Sequence, residues 1–295
     1  MHLHRHREDD EQKPLAVLIV GQTGAGKTRL APVLRQAMVD DVGGGGRRTP
    51  AHFIADTYKT YHPHYAACLQ KFPEKASVLA GLDARVWLTM ACSYAVEHRL
   101  DVLVESACRH PDDFCKLADI FHEGGYIVRV AVLAVPEALS RLGILVRYYR
   151  NLPEAQSRGL PLRLTPTKVH DDSYAGLTYA AKFLDEGQSA DSVIVVRRNN
   201  MLAYSNARVS SESRTLRAGA GALGSLELER LRRLSPEEER TALEDIEELK
   251  KLRDPKVDAE VQEILGLMEI LGTRDENPPS LKPLDANEFI TGSLE

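Results

Sequence analysis

Eight residues near the start of the chain, Gly21-Gln22-Thr23-Gly24-Ala25-Gly26-Lys27-Thr28, constrain its fold more than any other feature. They satisfy G-x-x-x-x-G-K-[ST] at every position. The apolar run Leu15–Val20 precedes them, and a stretch competent to form a helix follows from Thr28. Strand, glycine loop and helix in that order build a phosphate cradle. Glycine permits the tight turn, and the loop amides together with the positive end of the helix face the anion. In that geometry Lys27 reaches the β- and γ-phosphates of a nucleoside triphosphate, and the Thr28 hydroxyl ligates Mg²⁺. All eight residues are candidate nucleotide contacts, and ATP and Mg²⁺ are the implied cofactors.

Beyond the loop, apolar runs alternate with helical patterns. Ala51–Ala55 reads as a second strand ending at Asp56, and Val102–Val104 as a third ending at Glu105. Ile127–Val135 and Ser192–Val196 read as further strands. Between them lie helical stretches at Ser77–Leu100, Pro111–Glu123, Pro136–Arg150 and Thr167–Leu184, with a Pro- and Arg-rich loop or lid over 151–166. This alternation predicts an α/β fold, a parallel sheet of the P-loop NTPase type with helices on both faces. Ligands of such sheets bind beyond the C-terminal ends of the strands. Three helical patterns follow a Ser-, Ala- and Gly-rich stretch, two of them opened by Ser235-Pro236-Glu237-Glu238 and Asp254-Pro255. The first is marked by Leu226, Leu228, Leu231 and Leu234. The expected organisation is a disordered tail over 1–13, a kinase-sized P-loop domain over 14–205, a linker over 206–224, a helical extension over 225–272 and a disordered tail over 273–295. Gly43–Gly46 reads as a mobile loop.

Composition narrows the function classes. Hydrophobic residues make up 43% of 295 and aromatics only 6%, which suits an aliphatic core between helices and a parallel sheet. No apolar run reaches membrane-spanning length, and the N-terminus lacks the apolar stretch of a signal peptide. The four cysteines, Cys68, Cys92, Cys108 and Cys115, form no CxxC pair and fit core positions in a reducing cytoplasm. Residues 225–295 hold 10 Lys and Arg against 19 Asp and Glu, whereas 1–224 hold 28 against 24. A mildly basic body suits small anionic ligands. No basic stripe interleaved with aromatics points to nucleic acid. The alternating His2, His4 and His6 read as part of a solvated tail rather than a metal site.

Phosphoryl transfer requires an acceptor hydroxyl aligned with the donor. Asp56, at a strand end, is the candidate base or orienting carboxylate, against the alternative of a simple helix cap. Glu105 and Arg109 stand at the next strand end, where a carboxylate meets metal or substrate, or else forms a surface ion pair. Arg147, Arg150, Arg158 and Arg163 surround the proline-rich loop and could clamp charge developing on a phosphoryl group. His170-Asp171-Asp172 is read as a helix surface before a metal site.

These residues together resemble the zeta-toxin family of P-loop kinases from toxin–antitoxin systems, over roughly residues 14–205. Asp56-Thr57-Tyr58-Lys59 with His62-Pro63 is similar to the family's D-x-[FY]-K…HP segment. Glu105-Ser106-Ala107-Cys108-Arg109 is similar to its E-x-T-x-R loop at the Glu and the Arg. Arg147-Tyr148 and Arg163-Leu164-Thr165-Pro166 fall where the family carries two nucleotide-facing arginines, and His170-Asp171 follows as in the family. The resemblance implies transfer of the ATP γ-phosphate to the 3′-hydroxyl of a UDP-N-acetyl sugar, typically UDP-N-acetylglucosamine, whose product blocks cell-wall precursor synthesis. It implies Lys27 on the phosphates, Thr28 on Mg²⁺, Asp56 as base, Arg147 and Arg163 at the transferring group, and Glu105 and Arg109 on the sugar nucleotide. A small helical antitoxin is the implied partner. The departure is Ala107, which replaces the family threonine and removes a hydroxyl that could bond the substrate. Two other readings stay open: a kinase of a different small-molecule hydroxyl, such as a nucleotide cofactor or an antibiotic, and a degenerate nucleotide-binding module. The acidic C-terminal helices could also fold over the basic cleft and inhibit it.

Overall fold

Strand β1 (Leu15–Val20) is buried on both faces, as its unbroken aliphatic sequence requires. It is flanked by β3 (Val102–Ser106) and β4 (Ile127–Leu133), both parallel to it, with Val20 level with Ser106 and Val132. β2 (Ala51–Ile54) extends the sheet beyond β3, and β5 (Ser192–Val196) extends it beyond β4, again parallel. A tight turn over Arg197–Asn200, with Asn200 at φ +61°, returns the chain as antiparallel β6 (Met201–Ala207). A two-residue strand, β7 (Lys282–Pro283), completes the order β2-β3-β1-β4-β5-β6-β7. This computed structural model describes residues 13–40, 49–72, 76, 79–158, 162–207, 221–273 and 280–293. The expectations for the tail 1–12, for Gly43–Gly46 and for 208–220 fall outside the described residues.

Alternate side chains of each strand feed two helical layers. Leu18, Val20, Val104 and Val130 face α4 (Gly81–Glu97), α5 (Pro111–Glu123) and α7 (Thr167–Glu186), joined by α8 (Ala222–Leu231). Val17, Ile19, Leu133 and Ile194 face α1 (Lys27–Asp40) and α6 (Glu137–Ser157), joined by α9 (Pro236–Lys250), α10 (Pro255–Gly272) and α11 (Ala286–Thr291). The α/β sandwich expected from the sequence is the fold that forms.

Four expectations are corrected. Strand β2 stops at Ile54, and Asp56 lies in the first turn of a short helix, α2 (Ala55–Thr60), followed by α3 (Tyr65–Lys71). Both helices are too short to announce themselves by periodicity. Helix α6 continues through Pro153 to Ser157, so half of the expected 151–166 lid is helix; Ala155 is buried against the protein and repays the amide that proline lacks. The three C-terminal helices exist, but they are no separate extension. Ala242, Ile246, Leu249, Val257, Val261 and Ile264 sit in the same core as β1 and α1. In α8, by contrast, Leu228 and Leu231 stay about half exposed while Leu226 is buried. Lastly, the described part of 273–295 is not a tail: β7 pairs with Met201 and Leu202, and Phe289 and Ile290 of α11 are buried in the α1 layer.

A buried chain of charges ties the C-terminal segment to the sheet. Glu229 of α8 accepts from Arg197 Nε at 2.5 Å and from Arg232 Nε at 2.7 Å, and Arg232 forks onto both oxygens of Glu238 at 2.6 and 2.7 Å. Glu238 closes the capping box with Ser235, accepting from its amide at 2.9 Å while its own amide donates to Ser235 Oγ at 3.2 Å. Burial is the largest single influence and would raise the Glu238 carboxyl, but the hydrogen bond and charge of Arg232, the Ser235 amide and the Arg197 charge together hold it below the usual carboxylate range.

Candidate active site

The loop after β1 closes on itself before α1 begins: Ala25 N–H donates to Gln22 O at 3.1 Å and Arg29 N–H to Gly26 O at 2.8 Å. Gly24 sits at φ +83° with Ser140 O only 2.0 Å from where a Cβ would stand, so the loop presses its backbone directly onto α6. The amides of Lys27 and Thr28, which open α1, have no partner within the helix and are available to an anion. The Lys27 ammonium bridges the loop, donating to Gly21 O at 2.6 Å and Gln22 O at 3.2 Å. Burial lowers its pKa, partly offset by Asp56, Cys108 and Glu105. These features fit a phosphate chain, and the Thr28 hydroxyl, on the exposed first turn of α1, fits a divalent cation.

The loop opens into a cleft of about 590 Å³. Thr23, Gly24, Gly26, Lys27 and Thr28 form one wall. Asp56, Glu105 and Ala107 line it as well, so the ends of β1, β2 and β3 converge as the sheet topology predicts, and Arg147 reaches it from the middle of α6. Gln22 and Ala25 do not face it; both are fully buried, and the Gln22 amide is turned into the protein.

Asp56 reaches the solvent-filled cleft, its side chain 77% exposed although protein surrounds it on several sides. Burial tends to raise its carboxyl, but Lys59, bonded to it at 2.6 Å, together with Lys27 and Arg147, holds it below the ordinary aspartate value. It is therefore ionised at neutral pH and able to accept a bond from a hydroxyl. Glu105 is buried rather than a surface partner, and its Oε1 lies 2.9 Å from His52 Nε2. Arg147 is held by Thr165 Oγ1 at 3.4 Å.

The remaining arginines take other places. Arg163 is not in the cleft wall, but it lies within electrostatic reach of Asp56, Tyr65 and Arg109, and its Nε and Nη2 are buried with no hydrogen-bond partner. Arg109 is also outside the wall and pairs with Asp172 at 3.3 Å. Arg158 pairs with Glu154 on the surface. Arg150 does line the cleft and bonds Asp245 at 2.5 Å.

Two expected side groups are settled by geometry. Cys108, at φ +52° and almost fully buried, has its thiol pushed up to about 12 by burial, which removes it as a nucleophile. His170 is buried rather than on the surface, with Nε2 2.8 Å from Ser140 Oγ and Nδ1 3.0 Å from Asp171. Glu137, His170 and Asp171 offer ligand atoms within 4.8 Å of one another. Both His170 nitrogens, however, are already engaged.

Residues that the sequence left unmarked complete the cleft. Leu139, Leu142, Gly143 and Val146 of α6 face Glu237, Glu238, Thr241, Ala242 and Asp245 of α9, with Arg198 and Asn199 of the β5–β6 turn at the end. An apolar stripe of α6 and an acidic stripe of α9 thus line the same cleft. Of the C-terminal helices, it is α9 that lines the cleft. The charge split between 1–224 and 225–295 was the one sequence signal of that meeting. Among the described residues, no helix is long and apolar enough to cross a membrane.

Comparison with known proteins agrees with the geometry. The family model described as "Zeta toxin" matches residues 2–209. Toxin PezT of Streptococcus pneumoniae serotype 4 is 25% identical over 197 residues, covering 65% of this chain and 72% of that protein. Toxin zeta of Enterococcus hirae is 27% identical over 244 residues, covering 80% and 76%. A solved structure from the PezAT chromosomal toxin–antitoxin system of Streptococcus pneumoniae superposes with a TM-score of 0.61 at 20% identity, covering 90% of this chain and 91% of its own. With the P-loop, the carboxylate across from it and the family model all falling on one segment, the chain belongs to the zeta toxin family.

Proposed function

We propose that this protein is an ATP-dependent kinase that phosphorylates the 3′-hydroxyl of a UDP-N-acetyl sugar, UDP-N-acetylglucosamine first among them, and acts as a toxin. One observation carries the reading: the Lys27–Thr28 phosphate cradle and the ionised Asp56 open into a single cleft with Arg147 on its wall. The amides of the loop and Lys27 bind the phosphate chain and draw charge from the β–γ bridge. Thr28 would hold Mg²⁺, which when bound neutralises charge on the β- and γ-phosphates. Asp56 orients the acceptor hydroxyl for in-line attack and takes its proton at a carboxylate oxygen. Arg147 faces the transferring group, and Arg163, whose unbonded guanidinium atoms lie close to Asp56, is positioned to meet anionic substrate. Glu105 and Arg109 are assigned to the sugar nucleotide.

The slot between α6 and α9 is assigned to the ATP base. Ala107, on the cleft wall, offers no hydroxyl to the acceptor, which favours testing a panel of acceptors rather than one. The relatives' names and the toxin–antitoxin system of the structural relative support a toxin with an antitoxin partner, and we assign it to the cytoplasm, where its nucleotide substrates would be found. The experiment is incubation with ATP, Mg²⁺ and UDP-N-acetylglucosamine, read by mass spectrometry. A gain of one phosphate on the sugar nucleotide is expected, and its loss in Asp56→Ala. Nucleotide binding without acceptor-dependent ADP release would overturn the kinase reading in favour of a binding module.

A further inference from the structure

Gln22 is the second residue of the P-loop, yet its side chain never meets the cleft. Its amide nitrogen donates to Val135 O at 2.7 Å and to Ser140 Oγ at 3.3 Å, which locks it to the end of β4 and the start of α6. Its amide oxygen accepts from Arg230 Nη2 at 3.2 Å, and that arginine comes from α8, more than two hundred residues away. Gln22 O is at the same time one of the two carbonyls holding the Lys27 ammonium. One residue thus carries both the side-chain contacts to distant elements and a carbonyl that restrains Lys27.

Arg230 is built for one task. It is almost fully buried, stacks on the Tyr174 ring at 3.7 Å, and donates to Thr178 Oγ1 at 3.0 Å, so α7 fixes the plane of its guanidinium. Among the described residues no carboxylate lies in salt-bridge contact with it, and Glu227 and Glu137 act on it only at longer range. Burial pushes its pKa down to about 10, with Tyr174 and Cys108 offsetting part of that, so it remains cationic at neutral pH. A buried cation without an acidic partner is costly to keep. Among the described residues its polar contacts are Gln22, Thr178 and the Tyr174 face, and of these Gln22 alone belongs to the phosphate loop. It does not line the cleft, so it acts through Gln22.

We propose that Arg230 is a positioning residue for the P-loop: by clamping Gln22 it holds the Gly21–Gly26 backbone in its phosphate-ready form. The C-terminal segment thereby completes the nucleotide site. This deepens the ATP reading above and rests on it only for its functional consequence; the loop geometry is testable without nucleotide.

The experiment compares the full chain with Arg230→Met, Arg230→Lys, Gln22→Met and the double variant. In the nucleotide-free protein, hydrogen exchange over Gly21–Gly26 is expected to quicken about tenfold in Arg230→Met, the scale of one buried hydrogen bond. Arg230→Lys keeps one donor to Gln22 and is expected to fall between. In kinetics, Arg230→Met is expected to raise the nucleotide KM about tenfold and leave the acceptor KM alone, whereas a lower folded fraction would reduce kcat and leave both KM values unchanged. In the Gln22→Met background the Arg230→Met change should have no further effect. Unchanged loop exchange in Arg230→Met or Arg230→Lys, or additive effects in the double variant, overturns the proposal. If Arg230→Met does not fold, the lysine variant and the Gln22→Met exchange pattern decide it alone. A parent protein that binds no ATP would sink the kinase reading, while the exchange measurement would still judge the clamp.

Discussion

Phe289→Ala tests whether the C-terminal segment is part of the core. Phe289 is fully buried in α11, in the layer formed by Leu30, Leu34 and Met38 of α1, with Ile290 beside it. Removing a buried phenyl ring costs about 3–5 kcal/mol, the sum of lost transfer energy and the cavity left behind. The loss has a ceiling. Helix α11 spans six residues, Ala286–Thr291, and is anchored mainly by these two side chains and by Asp285, which caps the amides of Asn287 and Glu288 at 2.9 and 3.0 Å. Once the helix lets go, no further penalty accrues, so a value near 3 kcal/mol is the expectation. The assay is equilibrium urea unfolding followed by circular dichroism, reading the midpoint at constant slope. A solvated tail would tolerate the change within about 0.5 kcal/mol. A measured loss that small would refute the packing argument, and with it the placement of β7 and α11 on the sheet.

Three further outcomes follow from the site and the charge network. Gly24→Ala forces a side chain into φ +83° and against Ser140 O, so nucleotide affinity should fall by at least tenfold in a calorimetric titration, and unchanged affinity would show that the loop does not need α6. Because Lys59, Lys27 and Arg147 hold the Asp56 carboxyl below its ordinary value, the acceptor-dependent rate should stay flat from pH 8 down to 5 and decline only in stronger acid; an acid limb near pH 6 would assign the base to another group. Glu238 has a folded-state pKa lowered beneath its unfolded value, so its contribution to stability is present above the unfolded value and is lost as pH falls through the folded one. Glu238→Gln should therefore lower the thermal midpoint at pH 7 more than at pH 3, and an equal drop at both would contradict the assignment.

The local features of this protein were legible in the sequence because each is carried by neighbouring residues. The P-loop glycines, the aliphatic strands, the Ser235–Glu238 capping box and the Asp254 cap all depend on spacings of a few positions, and each forms as spaced. So do the chemically distinctive residues at strand ends, since a parallel sheet sends every strand's C-terminal end to one edge. What sequence alone could not decide was how distant segments close on one another. Helix α2 is too short for periodicity to reveal, and Pro153 reads as a helix stop until Ala155 is seen to be buried. The acidic C-terminal helices read as an appendage until Ile246, Val261 and Phe289 are found in the core and α9 along the cleft. Gln22 matched the motif as a ligand contact, and only the tertiary contacts show its side chain turned from the cleft onto Val135, Ser140 and Arg230. Chain-local chemistry wrote the glycine loop; burial between segments two hundred residues apart decided which of its side chains line the cleft and which are turned into the protein.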